Sequence, residues 1–206
     1  MKAILMCVLF AHTVIAGDFV NLTFDEPDAS GTLAEIYPGG PKRGSAAALL
    51  RGWNLSVAGQ AYEFATISSF PVGSGNDPVS VLENSPAEQN SPLGTYTLVL
   101  HSPTPPAPEI RLSQRGTVPA DAAGLWIFGA GYAQMFINGE RVGDTVNDLT
   151  VDVSRFAGQE VDLEFLVGSG ASIRFDILGF VPVPEPSTWA LLGSGLAALL
   201  WLSRRK

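Results

Sequence analysis

Six short stretches, at residues 109–118, 125–130, 132–137, 149–153, 161–167 and 172–180, are candidate strands, and short turn segments join them. A period of two sends successive side chains to opposite faces of an extended chain. In Val161-Asp162-Leu163-Glu164-Phe165 the odd positions therefore turn to a core and Asp162 and Glu164 to water; Ile173, Phe175 and Ile177 repeat the pattern. Asn138-Gly139 is a strong hairpin signal, because both residue types tolerate positive φ and a primed turn matches strand twist. Many short strands with no long amphipathic helix predict an all-β body, an antiparallel β-sandwich of jelly-roll type rather than an α/β enzyme.

The first half reads the same way, less regularly. Residues 19–24 alternate as a first strand, which Asp25-Glu26-Pro27-Asp28 ends. Residues 29–45 are rich in Gly and Pro, with a turn cluster at Pro38-Gly39-Gly40-Pro41. Residues 46–50 are either the lead into the next strand or a short helical turn. The segments 53–57 and 62–68, separated by Gly59-Gln60, predict adjacent strands or a hairpin. One apolar interval, 79–82, interrupts turn-rich residues 71–92, and 95–100 is a strand with Tyr96, Leu98 and Leu100 on one face. Prolines 103, 105, 106 and 108 then break pairing, since proline donates no ladder hydrogen bond. They predict a loop between the halves of one domain in preference to a boundary between two, because neither half alone offers a convincing core.

Both ends differ from the body. Met1-Lys2, an almost wholly apolar run at 3–15 and Val14-Ile15-Ala16 before Gly17 make residues 1–16 a signal peptide, which implies export through the secretion machinery. Cys7, the one cysteine of the chain, lies within it. A body without cysteine excludes disulfides, thiolate metal sites and a cysteine nucleophile. The sandwich domain is assigned to 17–180, large enough for a single core. A linker, 181–188, precedes fourteen uncharged residues at 189–202 and a basic end at 203–206. As a helix, 189–202 spans ~21 Å against a hydrocarbon core of ~30 Å. Its flanks help: Trp189 and Trp201 suit headgroup depth, while Arg204, Arg205 and Lys206 snorkel and stay cytoplasmic. The expectation is a transmembrane helix holding an inner-membrane precursor; the alternative is a buried C-terminal helix.

The ordered set Pro184-Glu185-Pro186, one apolar helix, and Arg204, Arg205 and Lys206 resembles the PEP-CTERM sorting signal of Gram-negative bacteria. That resemblance implies an exosortase-type enzyme cutting near the tripeptide, a transient stay at the inner membrane, and release to the cell surface or exopolysaccharide matrix. A second resemblance rests on Gln114-Arg115-Gly116-Thr117-Val118-Pro119-Ala120, Phe136-Ile137-Asn138-Gly139, the run from Val153 to Phe165, and Phe175-Asp176-Ile177. These are similar to the second half of galactose-binding-like jelly rolls, whose members bind glycans through aromatic and polar loop residues or act as accessory modules.

Charge narrows the partners. Residues 17–185 hold all 20 acidic residues and 8 of the 12 basic ones, a formal charge of -12. Such a surface repels nucleic acid and anionic lipid headgroups. His101 is the only histidine outside the signal peptide and no G-x-S-x-G elbow occurs, which leaves little for a histidine relay or serine hydrolysis. Asp162 with Glu164, and Asp148 with Asp152, lie on common strand faces; carboxylates two apart, as in the first pair, stand ~6–7 Å from each other, spaced for glycoside hydrolysis but equally by strand alternation. Asp25, Glu26 and Asp28 end the first strand and Asp176 lies in the last, a set of oxygen donors for calcium. Trp53, Tyr62, Trp126 and Tyr132 are candidate glycan contacts, because a ring face covers the apolar face of a sugar. The function expected is a non-catalytic surface or matrix protein; the alternatives are a carbohydrate-binding module and a polysaccharide-active enzyme with paired carboxylates.

Overall fold

A computed structural model describes residues 18–27, 33–36, 40–68, 78–84, 95–102, 108–146 and 149–182. Thirteen strands follow in order: β1 Ala34–Glu35, β2 Lys42–Ser45, β3 Asn54–Val57, β4 Gln60–Ala61, β5 Phe64–Ser68, β6 Val79–Glu83, β7 Tyr96–His101, β8 Ile110–Thr117, β9 Ala122–Ile137, β10 Glu140–Val146, β11 Leu149–Asp152, β12 Glu160–Val167 and β13 Ser172–Pro182. The described helices are α1, Ala46–Leu49, and a 3-10 turn at Ser154–Phe156.

The strands form a sandwich-like pair of layers that share one strand. The first layer runs β1-β2-β5-β6-β7-β13-β9-β11 and the second β4-β3-β8-β12-β9-β10. β9 pairs with β13 and β11 along its first part, then with β12 and β10 along its last six residues. The bend between the two parts falls at Gly129-Ala130-Gly131. A Cβ on Gly129 would stand 2.0 Å from the Arg174 carbonyl oxygen, and one on Gly131, at φ +117°, 2.2 Å from that of Ser172. Only glycine lets β13 approach so closely while the chain turns from one layer to the other.

Four aromatic rings close the centre. Phe24 meets Trp53 and Phe175 at 5.5 and 6.0 Å between centroids, Trp53 meets Phe165 at 6.2 Å, and Phe165 meets Phe175 at 4.8 Å. The second layer contributes Phe165 and the first Phe175, so this ring contact ties the layers together.

Several expectations are met. Asn138 and Gly139, at φ +52° and +77°, make the β9–β10 turn. Val161, Leu163 and Phe165 are buried while Asp162 is exposed. Others need correction. The sheet is mixed, not purely antiparallel: β5 and β6 run parallel. No helix among the described residues is long and apolar enough to cross a membrane. The reading of the fold as a jelly roll plus a transmembrane helix, and of the location as a helix-anchored inner-membrane precursor, is corrected accordingly. The span assigned to 189–202 lies outside the described residues, as do the signal peptide at 1–16 and the basic end. Residues 19–24 are not a strand, since Asn21 and Phe24 take φ of +50° and +58° and break the extended path. The hairpin partner of β3 is β4, through Ala58 and Gly59 at positive φ, whereas β5 crosses to the first layer between β2 and β6.

Candidate functional site

Register places both ends of the described body at one pole. Asp18 bridges Thr117 at the end of β8, and Val181 and Pro182 pair with Gly124 and Ala122 at the start of β9. Phe19 closes the gap. Its ring lies over Gly116, where a Cβ would be 2.7 Å from it, and 5.5 Å from the Phe180 ring. The exposed residues around this exit include Asp18, Asp121, Asp152 and Glu160. Asp152 accepts the Ser154 N–H at 2.9 Å and its carboxyl is held low by the Ser154 hydrogen bonds, with Arg155 nearby. The Arg115 guanidinium, 3.1 Å away, likewise holds the Glu160 carboxyl low. The opposite pole carries the Ala58-Gly59 turn, the start of β8 and the start of β13.

Asp25 and Asp176, two of the calcium candidates, do come to neighbouring residues of β7. Asp25 Oδ1 accepts the backbone N–H groups of Thr95 and Tyr96 at 2.7 and 2.9 Å, capping the strand. Asp176 sits at a bulge in β13 that turns it inward, where it is 6% exposed and hydrogen-bonded to Thr97 Oγ1. Thr97 Oγ1 also lies 3.0 Å from Asn84 Oδ1. Burial, with the Glu83 and Asp25 charges, pushes the Tyr96 phenol up. Glu26 instead meets Arg51 at 3.3 Å, exposed, and Asp28 lies outside the described residues. Among the described residues no three His, Cys, Asp or Glu side chains are gathered to hold a metal.

The four aromatic candidates do not form one platform. Trp53 is 4% exposed in the core, its Nε1 donating to the Asn21 carbonyl at 3.2 Å. Tyr62 packs partly buried against the same core. Trp126 is half-buried on the outer face of the first layer, 5.5 Å from Phe128 and beside Gly179. Tyr132, past the bend, is exposed on the second layer. Alternation correctly separates Trp126 from Leu125 and Ile127, which are buried.

The carboxylates on the β8–β12 face are engaged by arginines. Glu164 accepts Arg111 Nη1 at 2.7 Å, and Arg115 spans Glu160 at 3.1 Å and Asp162 at 3.9 Å. These are cross-strand pairs set by the register Asp162↔Arg115. Asp148 lies outside the described residues. His101 ends β7 opposite Ser172. Two features were missed in the sequence, the Arg111 and Arg115 ladder and the Gln114 side chain that holds the N-terminal segment. The acid–base complement of the segments 109–118 and 161–167 was a signal for the first.

A β-rich, sandwich-like body is the class that these features define. Residues 182–206 match the PEP-CTERM protein-sorting motif. No curated protein matches the chain. Among solved structures, the enzymatically active domain of bacteriophage CBA120 tailspike protein 4 is 17% identical, with a TM-score of 0.36, over 64% of this chain and 20% of that one. A β-D-glucuronidase from Dictyoglomus thermophilum is 10% identical, with a TM-score of 0.29, over 70% of this chain and 21% of that one. The chain thus spans about a fifth of either, and nothing about activity follows from them.

Proposed function

We propose that this chain is an exported, surface-associated protein whose body does no catalysis and whose C-terminal segment is the address read by an exosortase-type enzyme. One observation carries the reading. The matched motif begins at Pro182, the last residue of β13, so a cut near Pro184-Glu185-Pro186 removes no described strand. The engagement of Asp162, Glu164 and Glu160 by arginines supports a structural body. Release to the cell surface or an exopolysaccharide matrix is the destination. The test is fractionation and immunoblotting in the native host. Replacing Pro184, Glu185 and Pro186 together by Ala should leave a full-length, cell-associated protein; a variant that reaches the surface at the parent's size and amount refutes the reading.

A second reading, a carbohydrate-binding body, is favoured by the outward Trp126–Phe128 pair beside Gly179. A glycan array with the body, repeated for Trp126→Ala, decides it: binding that the substitution abolishes supports it, and no binding removes it.

A further inference from the structure

We infer that the pole around Pro182 is part of the surface that the processing enzyme recognises, a proposal that rests on the sorting function above. The reason is the length of the tether. Pro182 is fixed in the first layer by its register with Ala122, and Ala122 N donates to the Pro119 carbonyl at 3.0 Å. Glu185 follows three residues later, and a fully extended chain covers at most ~3.3–3.6 Å per residue, so Glu185 stays within ~11 Å of Pro182. A folded domain of even ~100 residues has a radius of gyration of ~13 Å. An enzyme that grips the chain at Glu185 therefore meets the turn bearing Ala120 and Asp121 and the neighbouring end of β11. Val181, Gly124 and Asp152 align across three adjacent strands there, which places the exposed Asp121 and Asp152 together on the β9–β11 side of the exit. The partner's apposed surface is accordingly cationic. Unpairing Val181 and Pro182 lengthens the tether by only ~7 Å and leaves the pole within reach.

The absence of cysteine from residue 8 onward allows a clean test. Full-length chains carrying Ala120→Cys, which leaves Asp121 in place, or Gln60→Cys at the opposite pole, are labelled with a thiol-linked photocrosslinker in a host whose exosortase-type enzyme is tagged. Processing of each variant is followed in parallel, and crosslinking to the tagged enzyme is expected from position 120 and not from position 60. A Gly/Ser spacer of six residues after Pro182 should weaken the position-120 crosslink while processing persists. Equal crosslinking from both positions, or none from 120 while the chain is still processed, overturns the proposal. If replacing Pro184, Glu185 and Pro186 leaves processing unchanged, the sorting function itself fails.

Discussion

The side-chain amide of Gln114 takes both backbone polar groups of Val20: Val20 N donates to Oε1 at 2.9 Å, and Nε2 donates to the Val20 carbonyl at 3.0 Å. Gln114 thus acts as a strand partner for a segment that is not a strand. Leu178 N donates to the Leu22 carbonyl at 2.9 Å from the other layer, so residues 19–24 lie across the seam between layers and deliver Phe24 to the aromatic centre.

Gln114→Leu leaves two backbone groups of Val20 without that partner and should cost about 1–3 kcal/mol of unfolding free energy. Chemical denaturation of the body measures it. An unchanged midpoint would mean that water replaces the amide without penalty.

Gly131→Ala and Gly129→Ala force a methyl into the carbonyls of Ser172 and Arg174, and should each cost about 3 kcal/mol or more. Gly59→Ala is the control. It also has positive φ, but nothing lies within 4 Å, so its cost should stay near ~1 kcal/mol. Thermal melts that rank Gly59→Ala as the worst of the three contradict the account of the bend.

Phe175→Ala removes the ring that meets both Phe165 and Phe24 and should cost about 3–5 kcal/mol. Phe64→Ala, at an exposed ring, should change stability by less than ~1 kcal/mol. Denaturation midpoints of the two variants check the contrast.

Acid should weaken the pole in a defined direction. The Glu160 and Asp152 carboxyls are held below their ordinary values of 4.5 and 3.8 by Arg115 and by Ser154. A depressed folded-state value means that the charged, bonded form stabilises above the ordinary value, and that this stabilisation fades as pH falls through the folded one. Melting temperature should therefore decline as pH drops from about 5 downward. In Glu160→Gln the decline should be shallower; equal slopes for parent and variant would exclude that contribution.

The period-two pattern alone determined that β8, β12 and β13 would form and which residues of β12 would be buried, because alternation fixes a strand's two faces without reference to any partner. Asn138-Gly139 determined its hairpin because positive φ at two successive residues is a local property. The motif at 182–206 was legible for the same reason, being carried by local residue order. Strand direction is not local. The parallel pairing of β5 with β6 and the separation of β5 from β3 depend on which edges meet in three dimensions, and a period of two is the same in either direction. Asp176 shows a second limit: simple alternation would turn it to water, but a bulge opposite β9 turned it inward to Thr97. Trp53 is by residue type a candidate both for a surface glycan platform and, more often in a sandwich, for the core. The tertiary structure made it core, because the N-terminal segment, held by Gln114 and Leu178, brought Phe24 against it and gave its Nε1 the Asn21 carbonyl.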